Sequence, residues 1–454
     1  MGKEFAGNGV YGQETARSLH FFNIGSDLMP IPFVEILLRL KSAAARVNAE
    51  LGIIPADIGQ AIRTACEQLL AESVSDPEEF RASFPLRIWQ TGSGTQTHMN
   101  VNEVIAIRAS KNSGLSVHPN DHVNAGQSSN DVIPTAMDIT LACGGRDLLL
   151  PALDELINEL AALEERCGEF IKVGRTHLQD ATPVTVGQEA SAWRQGLVGS
   201  RAALADGLKD LLSPALGGTA VGSGLNTHPK FAEKVLALLG SELDLPLVEN
   251  PNKFHALSGR EGVTRYHGVI TALATGLQKM ANDIRLLASG PRCGIGEYII
   301  PANEKGSSIM PGKVNPTQCE AMVMVTTQVM ANNLAVGMGS AGGQLQLNAM
   351  APLILHNIWH STVILSDAMR SFARYCVAGM TVSEKKLAEN LERSLMNVTA
   401  LTPHIGYDKA AKVVSVAAAG DTSLIEAVLK LGYMSEADAR AALDPSHMLR
   451  PDRE

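Results

Sequence analysis

The 454-residue sequence has few aromatic residues, no closely paired cysteines, no basic tract and no long uncharged apolar run. Aromatic residues make up only 4%, whereas apolar residues reach 45%, which is typical of globular chains whose helices pack through small aliphatic side chains. The net charge of −9 and the lack of a basic tract argue against a nucleic-acid-binding protein. Without an apolar run of membrane-spanning length or an N-terminal signal segment, the sequence predicts no membrane partner.

The six cysteines are scattered along the chain and form no C-x-x-C pair. The usual zinc and redox motifs are therefore excluded. Isolated cysteines in a chain of this length are typical of a reducing compartment, which predicts a cytoplasmic protein.

Apolar residues at helical spacing indicate that most of the chain is α-helical. The predicted helices cover 31–51, 57–72, 133–166, 183–212, 261–289, 317–346 and 352–380, with a short helix near 100–110. Apolar helices of nearly thirty residues exceed what a small domain covers, so we expect a bundle that packs against copies of itself. No alternation of strands and helices is seen, so the predicted fold class is all-α. We expect an N-terminal helical domain over 1–127, a central long-helix bundle over 128–382 and a small C-terminal helical domain over 383–454.

The stretch "GSSIMPGKVNPTQCE" at 306–320 interrupts the helical pattern. Its glycines and prolines predict a loop, and Asn315 and Pro316 suit the N-cap and first position of a helix. A helix N-terminus attracts anions, and Lys313 adds a positive charge, so this segment is suited to a carboxylate. In such a field Ser307 would gain basicity, because its alkoxide is stabilised. The local pattern leaves open a solvated loop that only caps a helix, and it is not a Walker A motif.

Three other polar segments precede predicted helices in the same way. They are "SGT" at 93–95, "SSND" at 128–131 and "GRTHLQDATP" at 174–183, which contains Thr176 and His177. Taken singly, each segment is a candidate helix cap, and a lone histidine is more often structural than catalytic. Glu320, in the first turn of the helix after the loop, is on its own merely a favourable partner of the helix dipole.

Together these segments resemble the class II fumarate hydratases of the fumarase/aspartase superfamily. The resemblance rests on "GSSIMPGKVNP", "WQTGSGTQT", "HPND", "QSSNDVIPTAM", "GRTHLQDATPVTVGQE", "LGGTAVGSGLNTHP", "LASGPRCGIGE" and "TALTPHIGYDKAA", which run in the family's order from about residue 11 to 435. "VNPTQCEA" and "HLQDATP" resemble fumarase more than aspartase. The resemblance implies a three-domain fumarase/aspartase-like fold around a long central bundle, and a homotetramer whose active sites are built from three subunits. It also implies reversible hydration of the small dicarboxylate fumarate to (S)-malate in the citric acid cycle, with no metal and no organic cofactor.

The resemblance assigns roles to individual residues. Ser307 would take the C3 proton of malate, His177 would handle the proton of the leaving hydroxyl through a water, and Glu320 would orient and charge His177. The loop that carries Ser307 would close over the substrate. The residues expected to bind the substrate or the reacting water are Ser93, Gly94, Thr95, Ser128, Ser129, Asn130, Thr176, Ser308, Lys313, Val314 and Asn315.

The sequence departs from the family pattern at a possible second anion site. His118, Pro119, Asn120 and Asp121 are present, but Leu115 and Ser116 stand where the family has a cation. We therefore expect any second site to be weak. His118 and His122 have the spacing of a helical metal pair, but Pro119 argues against a helix there, so no metal is predicted.

His98 is the other departure, because the family usually has asparagine at this position. It is either a tolerated change or the cause of an altered preference, such as for the methyl-substituted fumarate mesaconate, or of a shifted pH optimum. Two rival functions remain: an aspartate ammonia-lyase on the same scaffold, and a non-catalytic structural protein like the lens crystallins of the superfamily. The joint presence of Ser307, His177, Lys313 and Asn315 argues against the structural role.

Overall fold

The structure is a computed structural model that describes residues 7–451, most of them helical. The helices are α1 (Gln13–Phe21), α2 (Ile31–Glu50), α3 (Ala56–Ser75), α4 (Pro77–Ser83), α5 (Thr95–Ser113), α6 (Ser129–Gly144), α7 (Leu150–Cys167), α8 (Val186–Gly207), α9 (Phe231–Leu243), α10 (Lys253–Ser258), α11 (Glu261–Leu287), α12 (Thr317–Ala341), α13 (Ala351–Phe372), α14 (Glu384–Arg393), α15 (Thr402–Ile405), α16 (Tyr407–Gly420), α17 (Leu424–Leu431) and α18 (Glu436–Ala442). The short π and 3-10 segments are Pro119–Val123, Gly145–Leu149, Leu208–Leu211, Ala373–Val377, Leu395–Leu401 and Pro445–Met448. The predicted all-α class is confirmed.

Four short strands form two antiparallel pairs within this helical fold. They are β1 (Ile171–Thr176) with β2 (Gln179–Thr185), and β3 (Tyr298–Ile299) with β4 (Thr381–Val382). The helix predicted over 183–212 therefore starts only at Val186, because the residues before it form β2. The helix predicted over 133–166 is α6 and α7, joined by the π segment Gly145–Leu149.

The described chain divides into two compact units. Within residues 7–451, unit 1 comprises 7–151, 200–274 and 326–366, and unit 2 comprises 152–199, 275–325 and 367–451. The three-domain division expected from the sequence stays a prediction. Within residues 7–451, no helix combines the length and the apolar character that a membrane crossing requires.

The core of unit 1 is organised around α2. This helix buries Phe33, Leu37, Leu40 and Ala44, which follow one another at the spacing of a single helix face. α3, α5, α6 and α9 all pack against α2. The helices α5 and α6, whose first residues are candidate site residues, are thus held by one buried helix.

Unit 2 has comparable apolar stripes. In α7, Leu153, Leu156, Leu160 and Leu163 are buried at intervals of three and four residues. The last helices share a separate apolar core, formed by Val398, Leu401, Ala410, Val413, Ala417, Leu424, Ala427, Val428 and Ala439. Small and aliphatic side chains fill these cores, as the low aromatic content predicts.

Candidate active site

A chain of hydroxyl groups lies where α5 and α6 begin. Ser93 Oγ lies 2.8 Å from Thr95 Oγ1, which lies 2.7 Å from Ser129 Oγ at the start of α6. Gly94 makes this turn possible, because its φ of 70° is left-handed and a Cβ atom would come within about 3.0 Å of Ile133. The structure therefore brings three predicted binding residues into one group, the hydroxyl cluster of Ser93, Thr95 and Ser129.

The start of α6 is fixed by a capping box. Ser128 is the N-cap residue, and its backbone N–H donates to Asp131 Oδ1 over 3.0 Å. The other oxygen of this buried carboxylate accepts N–H groups from Gly217 and Thr219 at 2.9 and 3.0 Å. Burial raises the pKa of Asp131 even though these backbone donors oppose the rise. Asn130 donates to the backbone oxygen of Ala220 over 2.9 Å, so α6 and its preceding segment are tied to the 217–220 loop.

His177 lies in the tight turn between β1 and β2. His177 and Leu178 have φ values of 57° and 61°, and Thr176 pairs with Gln179 across the hairpin. Two successive left-handed residues are typical of a type I′ turn, in which glycine or asparagine is usual. Backbone of this kind is costly for other residues and is concentrated at functional sites. The turn projects Thr176 and His177 from unit 2 with both residues exposed.

Beneath this turn lies a buried charge network, which we call the Glu297 network: Lys172, Arg175, Glu189 and Glu297. Glu297 is 0% exposed and accepts two hydrogen bonds from Arg175, at 2.9 and 2.7 Å. Lys172 Nζ lies 2.8 Å from Glu189 and 3.3 Å from Glu297. Burial alone would raise the pKa of Glu297, but Arg175 and Lys172 outweigh it and hold that pKa below its usual value. The network thus holds the strand that leads to His177.

The segment 306–315 forms a loop whose two ends are joined. Asn315 Nδ2 donates to the backbone oxygen of Gly306 over 2.5 Å. Only glycine fits at 306, because a Cβ atom there would lie 2.0 Å from the backbone oxygen of Lys313. Within the loop, Ser307 Oγ accepts backbone N–H groups from Ile309 and Met310, at 3.2 and 3.0 Å. Two donors aimed at one hydroxyl oxygen favour its negatively charged form.

The helix after this loop begins at the residue that its helical spacing predicts. α12 starts at Thr317, and the N–H of Glu320 donates to Pro316 O over 3.0 Å. Pro316, whose C=O accepts this first helical hydrogen bond, therefore occupies the N-cap position expected for Asn315, and Nδ2 of Asn315 closes the loop. Ser308, Lys313, Val314 and Glu320 are exposed, whereas Ser307 and Asn315 are half-buried.

Within residues 7–451, the three predicted catalytic residues make no polar contact with one another. His177, Ser307 and Glu320 all belong to unit 2, but among residues 7–451 no hydrogen bond or ion pair joins any two of them. The hydroxyl cluster belongs to unit 1, and the His177 turn and the Ser307 loop belong to unit 2.

The possible second anion site forms a helical turn. Pro119–Val123 is a π turn, so the prediction that Pro119 prevents a helix is wrong, because proline suits a first helical position. His118 and His122 each accept a backbone N–H through Nδ1, at 3.1 and 3.0 Å. In the described part of the chain, no group of three or more His, Cys, Asp or Glu residues is arranged to hold a metal ion.

Sequence reasoning missed the buried groups behind these segments. The Glu297 network has one visible signal, a lysine and an arginine in the otherwise apolar strand "IKVGR". His98, noted only as a departure, is 2% exposed and its Nε2 lies 2.8 Å from the fully buried Nζ of Lys41. The signal for Lys41 is its position on the apolar face of α2, four residues after Leu37 and three before Ala44.

Comparison with known families gives a consistent result along the whole chain. The family described as "Lyase" matches residues 6–331, and the family described as "Fumarase C C-terminus" matches residues 398–450. The chain is 48% identical over 450 residues to the class II fumarate hydratase of Bordetella parapertussis, covering 98% of this chain and 96% of the relative. It is 49% identical over 445 residues to that of Nitrosomonas europaea, covering 97% and 95%.

Solved structures show the same similarity. A class II fumarase from Schistosoma mansoni is 42% identical and superposes with a TM-score of 0.93, over 98% of this chain and 96% of that one. A fumarate lyase:delta crystallin from Brucella melitensis is 35% identical with a TM-score of 0.91, over 99% and 97%.

Proposed function

This chain belongs to the class II fumarate hydratase family, and we propose that it catalyses the reversible hydration of fumarate to (S)-malate with Ser307 as the base. The reaction makes the chain a carbon–oxygen lyase of the citric acid cycle. In the dehydration direction a base removes the C3 proton of malate, and the electron pair moves onto the neighbouring carboxylate as an aci-carboxylate. The C2–O bond then breaks, and the leaving hydroxyl takes a proton to become water.

The environment of Ser307 Oγ is the observation that carries this assignment. An ordinary serine is a poor base, because its hydroxyl holds its proton tightly. Here two backbone N–H groups point at Oγ, and Lys313 belongs to the same loop. Both features stabilise an alkoxide, which is the form that removes a proton.

The second proton transfer is assigned to His177. Its left-handed turn projects the ring from unit 2 into solvent, where a substrate or a water can reach it. In this proposal Glu320 of another subunit orients the ring and favours its protonated form, and a water carries the proton to the leaving hydroxyl.

The substrate carboxylates have two kinds of partner. The hydroxyl cluster of Ser93, Thr95 and Ser129 lies at the starts of α5 and α6, and helix N-termini attract anions. The remaining partners are Gly94, Ser128, Asn130, Thr176, Ser308, Lys313, Val314 and Asn315. Preorganised donors and cations of this kind stabilise the charge that gathers on the aci-carboxylate.

We also infer a homotetramer with shared active sites. Leu334 and Met338 of α12 are 68% and 67% exposed, and their spacing places them on one side of the helix. A helix that is apolar nearly all round normally has its whole surface covered. Shared sites agree with the exposure of His177 and Glu320 in the single chain.

The six cysteines all carry free thiols, which supports a reducing, cytoplasmic location.

The test of the reaction is an absorbance assay for the fumarate double bond, run with malate and in parallel with aspartate. We expect absorbance to rise with malate and to stay flat with aspartate. Activity with aspartate alone would reassign the chain as an ammonia-lyase, and an inactive tetramer would revive the structural role.

The test of the base is the variant Ser307→Ala, with Ser308→Ala as its neighbour. We expect Ser307→Ala to lower kcat by roughly 10³-fold or more while the assembly stays intact, since the proton-transfer group is lost. Ser308→Ala should mainly raise KM, because Ser308 is assigned to substrate binding. A Ser307→Ala enzyme with near-normal turnover would remove Ser307 from the role of base.

A further inference from the structure

A buried lysine lies behind the hydroxyl cluster. Lys41 of α2 is 0% exposed, and its Nζ lies 2.8 Å from His98 Nε2, 3.0 Å from Asn124 Oδ1 and 3.0 Å from Gln127 Oε1. The two amide oxygens can only accept hydrogen bonds. A protonated Lys41 therefore uses its three N–H groups on three uncharged acceptors, with His98 Nε2 accepting.

These contacts join the two chain segments that carry the hydroxyl cluster. His98 follows Thr95 by one turn of α5, and its N–H donates to Gly94 O over 3.0 Å. Gln127 directly precedes Ser128, the N-cap residue of α6. A second polar residue of α2, Asn48, donates to Ala125 O over 2.9 Å and holds the same segment. The relative position of the two helix starts therefore depends on α2.

No direct ion pair within residues 7–451 balances the charge of Lys41. Among residues 7–451, the carboxylate that acts most strongly on it is Asp131, whose oxygens already accept N–H groups from Ser128, Gly217 and Thr219. The other titratable groups facing Lys41 are the buried thiol of Cys66 and the ring of His98. Burial and the Lys41 charge hold the pKa of His98 well below its usual value, so the ring is neutral. A bound dicarboxylate would supply the missing negative charge.

We propose that Lys41 is a positioning residue of the dicarboxylate site. It sets the spacing between the starts of α5 and α6 through His98 and Gln127, and it adds a positive charge that the substrate balances. This inference rests on the proposed function. Lys41 does not touch the reacting atoms. His98 thereby gains a specific task, because it supplies one of the three acceptors that keep the buried ammonium in place.

The pH dependence of substrate affinity provides a readout that a purely structural role would not change. Burial lowers the pKa of Lys41 to about 7, against the opposing attraction of Asp131. As pH rises through this value, Lys41 loses its charge and its attraction for a dianion. We therefore expect KM for malate to rise above pH 7 in the wild-type enzyme.

The decisive variant is Lys41→Met, which keeps the length and apolar stem of the side chain. We expect about a tenfold higher KM at pH 6, a smaller change in kcat, and no rise of KM above pH 7, because the titrating charge is absent. His98→Gln retains an acceptor and should stay close to wild type, whereas His98→Leu should behave partly like Lys41→Met. In the double variant Lys41→Met/His98→Leu, the second change should add little.

The matched control is Asn100→Ala. Asn100 lies two residues from His98 on α5, is 1% exposed, and donates to Ser83 O over 3.1 Å without contacting Lys41. It should lose stability but keep the wild-type KM and its pH dependence. An equal KM increase in Asn100→Ala, or an unchanged KM and pH profile in Lys41→Met, would overturn the proposal.

A binding measurement separates this inference from the proposed reaction. The unreactive dicarboxylate succinate should raise the melting temperature of the wild-type protein more at pH 6 than at pH 9. Lys41→Met should reduce this difference between the two pH values. If Lys41→Met does not assemble, His98→Leu should show the same reduction. Lack of malate turnover together with this binding pattern would refute the reaction and keep the role of Lys41. Malate turnover without the pH-dependent binding of succinate would support the reaction and refute the role of Lys41.

Discussion

Replacing Glu297 with alanine removes the carboxylate at the centre of the Glu297 network. Glu297 is 0% exposed, and it receives two hydrogen bonds from Arg175 and one from Asn390 at 3.0 Å, with Lys172 at 3.3 Å. Its loss leaves the half-buried Arg175 without its carboxylate and the buried Lys172 with Glu189 alone. Breaking a buried ion pair from one side costs about 3 to 5 kcal/mol, since the remaining charge stays desolvated. We expect a loss of this size in the free energy of unfolding.

The change should also reduce activity at temperatures where the variant remains folded. Arg175 immediately precedes Thr176 and His177, so the turn loses the anchor of its own strand. We expect kcat to fall by about tenfold or more, because proton transfer requires a positioned ring. Denaturant unfolding and malate turnover should be measured at one fixed protein concentration, since assembly shifts apparent stability.

Two further variants set the limits of this prediction. Glu297→Gln keeps an acceptor for Arg175 and should cost less than the alanine variant. Glu384→Gln, at an exposed carboxylate in the first turn of α14, should change stability by no more than about 0.5 kcal/mol. The reasoning is refuted if Glu297→Ala costs under about 1 kcal/mol, or if its kcat equals that of Glu384→Gln.

The pH dependence of the same network has a definite sign. The pKa of Glu297 is held below its usual value, so the folded state binds the proton less readily than the unfolded state. Its stabilisation is complete above the ordinary glutamate range, about 4.3, and is lost as pH falls through the lower folded pKa. Wild-type stability should therefore fall more steeply with acid than that of Glu297→Gln.

Two other predictions concern the start of α6 and the exposed side of α12. Asp131→Ala removes the acceptor of three backbone N–H groups, so we expect a stability loss of about 2 to 4 kcal/mol and a raised KM for malate, measured by denaturation and steady-state kinetics. Leu334→Glu places a charge on the exposed apolar side of α12. Light scattering should therefore detect species smaller than a tetramer, and malate turnover should be lost in parallel. An intact, active tetramer would contradict the proposed interface.

The sequence predicts the helices well because their signals are local and repeated. The stripe of Phe33, Leu37 and Leu40 in α2 and the cap at Ser128 both follow from residue types at fixed spacing. The loop at 306–315 was also predicted, although the role of Asn315 within it was not. Its Nδ2 donates to Gly306 O, nine positions earlier in the chain, and this contact depends on how the loop folds rather than on a local pattern.

The hairpin and the buried charges could not be predicted in the same way. The turn at His177 and Leu178 lacks the glycine or asparagine that normally marks a type I′ turn. Lys41 contacts residues 57 and 86 positions away, and Arg175 contacts Glu297 at a separation of 122. Such contacts depend on how helices and strands pack, which apolar periodicity does not encode.

The assignment of the hydroxyl cluster and the Ser307 loop to different parts of the chain has a genetic consequence. The two groups belong to different units of the chain, and in the proposed assembly a site takes them from different subunits. Suppose one allele has lost Thr95 and another has lost Ser307. When both are expressed in equal amounts and mix at random, about one quarter of the sites receive an intact copy of each group. Two inactive alleles can therefore restore activity when they are expressed together. One inactive allele can also lower the activity of a wild-type allele, because its subunits contribute a defective group to shared sites.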